Sequence, residues 1–277
     1  MQKVDSIKGV GIGLRPCHYA YIQEHKPDVK WFEVLSDNYL CEGGISFSQL
    51  ETICSVYPMT LHGVGMSLGS TDPLNQDYLK KLKNLIQLTR PALVSDHLCW
   101  TSLGGHYFHE LLPLPYTEEA VKHVAGRIKI VQDFLERQIM IENVSSYLAF
   151  NHSTLTEWEF LKTVADEADC LILLDINNIY VSACNNAFNP EMYLHELNTE
   201  RVAQFHLAGF EDKGTHLLDS HSAKVYAPVW ALFEKALDKF GALPACIEWD
   251  NQIPDFPHLQ QEALMAQNRM LMHAIPE

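Results

Sequence analysis

Six short apolar segments of the sequence each end in a residue type that binds metal ions. In the LILLD segment, four apolar residues predict a buried strand that ends in Asp175, and a carboxylate buried there requires a cation as its partner. The other five segments are MTLH, ALVSDH, IMIE, VAQFH and ACIE, which end at His62, His97, Glu142, His206 and Glu248. Nitrogen and oxygen donors without thiolates favour iron, manganese, cobalt or zinc. Because six donors exceed the needs of one open catalytic metal, we expect two or more ions with a bridging carboxylate.

Three loop residues extend this set of candidate ligands. Asn178 lies three residues after Asp175, and Asp219 and His221 flank Ser220 in the loop that follows the VAQFH segment. The Asp-x-His pattern is common, so it indicates a ligand pair only in combination with the six segment ends. The candidate catalytic residues within the set are Glu142, Asp175, His206 and Glu248.

Each of these residues also has a simpler interpretation. A single histidine at a strand end is more often a hydrogen-bonded structural residue than a ligand, and Glu142 or Glu248 could pair with an arginine or lysine. The sequence shows no basic residue next to the segment ends except Lys224 near the Asp-x-His loop. Six such ends together therefore favour metal binding.

The segments that position these residues alternate regularly along the chain. Eight predicted strands are each followed by a predicted helix, such as Tyr19–His25 and Pro73–Thr89. Over 277 residues, this alternation predicts an α/β fold, a (β/α)8 TIM barrel forming one domain over residues 1–277. The carboxyl ends of the strands in such a barrel surround one mouth, so the six segment ends should converge there.

Two stretches depart from the alternation. Residues 99–116 contain Gly104-Gly105 between aromatic and apolar runs, which predicts a hairpin that covers the site. A polar loop with Asn185, Asn186 and Asn189 is predicted after the LILLD strand, followed by a short helix that begins at Pro190. We expect His123, like most other histidines of the helices and turns, to lie in solvent. Residues 9–14 form a strand, so their glycines do not predict a dinucleotide site.

Composition narrows the possible partners and the compartment. The formal net charge of −15, without a lysine- or arginine-rich run, argues against nucleic acid as a partner. The seven cysteines are scattered without a C-x-x-C pair, which argues against a disulfide framework and indicates a reducing compartment. We see neither a signal peptide nor an apolar run of membrane-spanning length. A cytoplasmic protein without a membrane partner is therefore expected.

The sequence resembles a known family over nearly its whole length. The motifs that carry the resemblance include GVGIGLRPCHY, LHGVGMSLGS, SDHLCW, IENVSSYL, LLDINNIYVSACN, DSHSAKVYAPVW and IEWDNQIPDF. They are similar to the successive signatures of the multinuclear non-haem iron-dependent oxidative enzymes, the group typified by the methanobactin-synthesising oxidase. The resemblance implies a xylose isomerase-like barrel with two or three irons. By the same resemblance, the iron ligands would be His62, His97, Glu142, Asp175, Asn178, His206, Asp219, His221 and Glu248. The resemblance also implies that Asn143 and Asp96 orient these ligands.

The resemblance also implies an activity and partners. Members of that family oxidise a cysteine in a ribosomally made peptide, using dioxygen and a mixed-valence Fe(II)/Fe(III) pair. They usually work with a companion protein that binds the leader of the peptide. We therefore expect an iron-dependent oxidoreductase that acts on peptidyl cysteine in natural-product biosynthesis, together with such a companion.

Two other classes of function remain open from the sequence. A divalent-metal hydrolase or isomerase, such as a sugar isomerase or an endonuclease, would use similar strand-end ligands. A non-catalytic metal-binding scaffold is the other alternative. Bound zinc or manganese without oxygen uptake would favour the hydrolase or isomerase, and thiol-dependent oxygen uptake would exclude the scaffold.

Overall fold

The computed structural model describes residues 7–40 and 43–273, and its strands and helices alternate as the sequence predicts. Within those residues the strands are β1 (Val10–Leu14), β2 (Phe32–Leu35), β3 (Met59–Gly63), β4 (Val94–His97), β5 (Trp100–Leu103), β6 (His106–Leu112), β7 (Met140–Glu142), β8 (Leu171–Asp175), β9 (Val202–Leu207), β10 (Glu211–Asp212), β11 (Leu217–Leu218) and β12 (Ala245–Ile247). The α-helices are α1 (Tyr19–His25), α2 (Ile45–Cys54), α3 (Gln76–Thr89), α4 (Glu118–Leu135), α5 (Glu157–Ala168), α6 (Ile176–Asn186), α7 (Pro190–Glu196), α8 (Ala227–Phe240) and α9 (Phe256–His273).

Eight of the strands close into a parallel barrel in the order β1-β12-β9-β8-β7-β4-β3-β2. The barrel closes at β1, where Ile12 pairs with Ile247 of β12 on one side and with Phe32 of β2 on the other. The predicted (β/α)8 barrel is confirmed. The predicted hairpin is also confirmed, since β5 and β6 pair antiparallel across Gly104 and Gly105.

The apolar core lies between the barrel strands and the surrounding helices. Phe160 and Val164 of α5 and Phe233 of α8 are buried in this layer, which matches the apolar faces of those helices. Trp31 is fully buried beside Ile7 and Cys246. A Cβ at Gly11 would lie 2.3 Å from the Trp31 ring, so glycine in β1 gives this ring its space.

Two helices differ from the sequence prediction. Helix α3 begins at Gln76 rather than Pro73, because the Asn75 side chain accepts hydrogen bonds from the amides of Asp77 and Tyr78 and caps the helix there. The predicted polar loop after Asp175 is wrong, because α6 begins directly after that residue. The Asp175 carboxylate accepts a hydrogen bond from the Asn178 amide at 2.7 Å and caps α6.

Among the helices of residues 7–40 and 43–273, none combines the length and the apolar character that crossing a bilayer requires.

Candidate metal centre

The strand ends bring the six predicted side chains to one mouth of the barrel. His62, His97, Glu142, Asp175 and His206 lie in the last residues of β3, β4, β7, β8 and β9, and Glu248 directly follows β12. All six are buried. Parallel strands place their carboxyl ends at the same edge, which is why residues so far apart in sequence meet here.

Glu142 lies between three of the histidines. Its Oε2 atom is 3.1 Å from Nε2 of both His62 and His97, and its Oε1 atom is 3.2 Å from Nδ1 of His206. The two carboxylate oxygens therefore face two different groups of donors. This is the arrangement of a carboxylate that bridges two ions.

A second group of donors surrounds His206 and His221. The Glu248 Oε2 atom is 3.0 Å from Nδ1 of His206 and 3.3 Å from Nδ1 of His221. Asp175 Oδ2 lies 4.0 Å from both His206 Nδ1 and His221 Nε2, and Asp219 Oδ1 is 2.8 Å from His221 Nε2. The Asp-x-His loop thus reaches the strand-end cluster.

Hydrogen bonds on the outer nitrogens orient two of the imidazoles. Nδ1 of His62 lies 2.8 Å from the Ser95 hydroxyl, which donates its own hydrogen to the Leu61 carbonyl. Nδ1 of His97 lies 3.0 Å from the Gly63 carbonyl. Both Nδ1 atoms therefore donate, and in the neutral rings both Nε2 lone pairs face Glu142 Oε2. Acceptors this close to one another require a proton or a metal ion between them.

Unpaired buried atoms mark where a cation fits. Among the residues that the structure describes, Glu142 Oε2, Asp175 Oδ2, His206 Nδ1 and His221 Nε2 are buried without a hydrogen-bond partner. All four belong to the cluster. Donor atoms of His62, His97 and Glu142 lie within 4.8 Å of one another, and so do those of Glu142, Asp175, His206 and Glu248. The donor set fits two neighbouring ions that share Glu142.

The ionisation of these groups is strongly perturbed. Burial and the nearby Glu142 carboxylate raise the pKa of Asp175 to about 8. Burial opposes ionisation of Glu142, but His97, His206 and His62 hold the pKa of its carboxyl well below the usual range. Burial alone would lower the pKa of His62, yet Glu142 and Glu33 raise it to about 9. Without metal, protons must compensate the charges of this cluster.

Asn178 occupies a different position from the other candidate ligands. It lies on the first turn of α6, at the wall of a cavity of about 520 Å³ that also contacts His62, His97, His221 and Glu248. Its Oδ1 atom accepts a hydrogen bond from Ser145, and its side-chain nitrogen donates to the Asn143 carbonyl. A role as ligand stays a prediction for Asn178, and it would require sharing Oδ1 with the Ser145 hydroxyl.

The sequence of this chain matches a protein family over most of its length. Residues 9–271 match the family described as the RiPP precursor modification enzyme MbnB/TglH/ChrH. The chain belongs to this family. It is 51% identical over 273 residues to a UPF0276 protein of Acaryochloris marina, covering 99% of both chains. It is 50% identical over 258 residues to a UPF0276 protein of Anaeromyxobacter sp., covering 93% of this chain and 91% of the relative.

Solved structures with low identity share the fold of this MbnB/TglH/ChrH family member. A D-psicose 3-epimerase from Clostridium cellulolyticum superposes with a TM-score of 0.63 at 10% identity. The superposition covers 97% of this chain and 100% of the epimerase chain. Endonuclease IV from Thermus thermophilus gives a TM-score of 0.62 at 14% identity, covering 96% and 100%. At this identity the likeness shows a xylose isomerase-like barrel and nothing further about function.

Glu33 contacts His206 and was not predicted from the sequence. Glu33 Oε1 lies 2.6 Å from His206 Nε2, while its other oxygen accepts hydrogen bonds from Thr60 and Gln204. Because Nε2 faces Glu33, Nδ1 of His206 is the nitrogen that faces Glu142 and Glu248. The sequence does contain a signal for this residue, because Glu33 is the charged residue in the otherwise apolar strand WFEVL.

Sequence reasoning also missed Arg15 and Asp250. Arg15 is buried, pairs with Asp250, donates to the Trp249 carbonyl and lies 3.7 Å from Glu248 Oε1. Asp250 in turn lies 2.9 Å from His221 Nδ1. No basic residue is adjacent to Glu248 in the sequence, but the fold brings Arg15 next to it. Arg15 reaches this position because Gly13 has no Cβ, which would lie 2.9 Å from the guanidinium.

Asn143 and Asp96, which were predicted to orient the ligands, make different hydrogen bonds. Asn143 bonds both the amide and the carbonyl of Asp175 and so fixes the end of β8. Asp96 instead accepts hydrogen bonds from the backbone amides of Met66 and His97. His123 was expected in solvent, but its Nε2 atom bonds the Ser70 carbonyl.

Proposed function

We propose that this chain is a multinuclear iron-dependent oxidase that uses dioxygen to modify cysteine residues of a ribosomally synthesised peptide. The observation that carries the proposal is the buried cluster around Glu142, whose unpaired atoms fit a shared pair of ions. Membership of a peptide-modifying family supports a peptide substrate. The donors are nitrogen and oxygen atoms, which suits iron.

The residues divide into groups with distinct roles. His62, His97 and Glu142 would hold one ion, and Glu142, Asp175, His206 and Glu248 would hold a second. Asn178, Asp219 and His221 are the candidates for a third ion. Two or three irons held there in a mixed-valence state would supply the thiolate binding and the one-electron reduction of dioxygen that cysteine oxidation requires.

The protein contributes positioning and exclusion of water. Glu33 and Asp250 hold His206 and His221 in the orientation that directs one nitrogen of each ring to the cluster. Burial of all six strand-end side chains keeps bulk water away from the ions. The cavity of about 520 Å³ beside the cluster is of the size that accommodates a small ligand or a short piece of peptide.

A companion protein that binds the peptide leader is part of the proposal. The family match extends over residues 9–271, and the described elements in that range form the barrel, its helices and the hairpin. We assign leader recognition to a separate chain, as the resemblance to the iron-dependent oxidative enzymes implies. Purification of the protein with a co-expressed companion, followed by peptide binding with and without it, tests this assignment.

The decisive experiment is aerobic co-expression with a small cysteine-containing peptide encoded nearby and the companion, followed by mass analysis of the peptide. We expect a mass change at cysteine that disappears without iron or dioxygen. Bound zinc or manganese with no oxygen uptake would favour a hydrolase or isomerase instead. Bound iron with no thiol-dependent oxygen uptake would leave a metal-binding scaffold.

A further inference from the structure

The hairpin of β5 and β6 forms one wall of the cavity beside the metal centre. Five consecutive residues of β6, 107–111, line that cavity, together with Thr101 of β5. Side chains alternate between the two faces of a strand. Five consecutive lining residues therefore mean that the cavity meets β6 at its edge, where main-chain groups are accessible.

The hairpin is held rigidly from the opposite side. The Asp72 carboxylate accepts hydrogen bonds from the amides of Gly104 and Gly105 at the turn. The Ser67 hydroxyl accepts from the amides of Thr101 and Ser102 in β5. All of these bonds reach β5 or the turn, so they fix the hairpin and leave the outer edge of β6 open.

The outer edge of β6 has the features of an acceptor for another strand. Within the described chain, β5 and β6 form a sheet of two strands, so one edge of β6 is unpaired there. The sequence HYFHELL has neither lysine nor proline, which commonly protect an edge from pairing. Tyr107 is 69% exposed and Phe108 is 44% exposed at this edge. An unpaired edge of seven residues that carries exposed aromatic side chains is a template for strand addition.

We propose that the outer edge of β6 binds an extended segment of the cysteine-containing peptide substrate as a third strand. This inference rests on the proposed function for the nature of the substrate. Because the same cavity contacts β6 and the ligands His97 and Glu248, a strand paired at this edge runs past the metal centre. Main-chain pairing fixes its register, so a cysteine at one position of the segment faces the cluster.

The register of the hairpin identifies a main-chain group that takes part. Leu103 and His106 are paired across the two-residue turn, and Gly104 and Gly105 both have positive φ, 61° and 76°. In such a turn, the flanking pair exchanges both of its hydrogen bonds. The next pair is Ser102 and Tyr107, so the amide of Tyr107 points away from β5 towards the open edge.

Two substitutions at this position separate main-chain pairing from side-chain contact. Tyr107→Pro removes the outward amide and no bond to β5, whereas Tyr107→Ala removes the side chain and keeps the amide. The probe is a displayed library of short random peptides with one fixed cysteine, selected on the iron-free protein under anaerobic conditions. The selected peptides should bind Tyr107→Pro about three- to ten-fold more weakly than Tyr107→Ala, the loss of one main-chain hydrogen bond.

Equal binding to the two variants, or selection of no peptide by the wild type, would overturn the proposal. A second measurement does not depend on the folding of a variant. N-methylation of the selected peptide, one residue at a time, should weaken binding at alternate residues, because every second amide of a paired strand faces its neighbour. A pattern without this alternation contradicts strand addition. Binding is measured without iron, so a peptide that binds in this way but is never oxidised would refute the proposed function alone.

Discussion

Glu142 is the residue on which the proposed bridging of two ions depends. Its Oε2 atom lies 3.1 Å from a His62 nitrogen, and its Oε1 atom lies 3.2 Å from a His206 nitrogen. We predict that Glu142→Ala loses bound iron and peptide oxidation together, because the Glu142 carboxylate lies 3.1 Å from both His62 and His97. Iron per protein and peptide mass measure the two effects. The exposed Glu119→Ala is the matched control, and full iron content with activity in Glu142→Ala would remove this residue from the site.

Glu33 should act on the metal through His206. Glu33→Ala leaves Thr60, Gln204 and His206 without their shared acceptor, which should lower the free energy of unfolding by about 3–5 kcal/mol. Iron should bind about 10–100-fold more weakly, as for other residues that orient ligands. Glu33→Gln keeps an acceptor near His206. It should therefore lose less stability and less affinity for iron than Glu33→Ala. Chelator competition and urea unfolding measure these effects, and unchanged iron affinity in both variants would contradict this role.

The sequence allowed prediction of the strand-end residues but not of the residues that hold them. His62 and His206 could be predicted because an apolar run ending in a ligand type is a local pattern. Glu33 lies inside β2 rather than at its end, so the same rule overlooks it. Arg15 bonds the carbonyl of Trp249, 234 positions away, through a gap left by Gly13. Contacts of this kind depend on the closed barrel, and no local pattern reports them.

At the level of secondary structure, α6 combines a structural and a chemical role in Asp175. Asparagine caps a helix about as well as aspartate, so Asp175→Asn should keep the helix and lose the charge. We predict that Asp175→Asn and Asp175→Ala both lose iron. In iron-free protein, only Asp175→Ala should lose the cap, which is worth about 1 kcal/mol. Equal stability of the two iron-free variants in urea unfolding would show that Asp175 does not support α6.

A second prediction at the level of secondary structure concerns the hairpin of β5 and β6. Its turn is tied to the barrel by Asp72, whose pKa is lowered by the hydrogen bonds from Gly104 and Gly105. Asp72→Ala should increase amide hydrogen exchange in residues 100–112 and leave the bound iron unchanged, because Asp72 does not contact the candidate ligands. Asp77→Ala, at an exposed aspartate of α3, is the control. Unchanged exchange in the hairpin would mean that the bonds from Ser67 are sufficient.

For the whole molecule, periodicity in the sequence was enough to predict the barrel. Strand bounds differ from prediction by few residues, and β8 agrees fully because LILLD is an apolar run with a charged end. The helix α6 was missed because Asn185, Asn186 and Asn189 suggest a polar loop. In the barrel, Asn185 and Asn186 are the last residues of α6 and donate hydrogen bonds to the carbonyls of Leu217 and Ser146, so tertiary contacts decide the conformation.

The pH dependence of stability should reveal how the buried charges are compensated. Burial raises the pKa of Asp175 and Asp96 to about 8 and that of Glu157 to about 7, while Glu142, against burial, raises that of His62 to about 9. Each of these groups holds its proton more tightly in the folded than in the unfolded chain. The stabilisation is complete below the unfolded pKa and is lost as pH rises through the folded value.

The three carboxyl groups begin to lose this stabilisation above their ordinary pKa values of 3.8 and 4.5, and His62 above 6.5. We therefore predict that, as these groups titrate, the free energy of unfolding of the iron-free protein falls between pH 6.5 and about 9, where His62 titrates. Iron should counteract this fall, because metal binding displaces protons from the ligands and strengthens as pH rises. Urea unfolding of chelator-treated and iron-loaded protein at a series of pH values measures both curves. If the two curves run parallel, iron does not replace protons in the cluster, and the metal binds elsewhere.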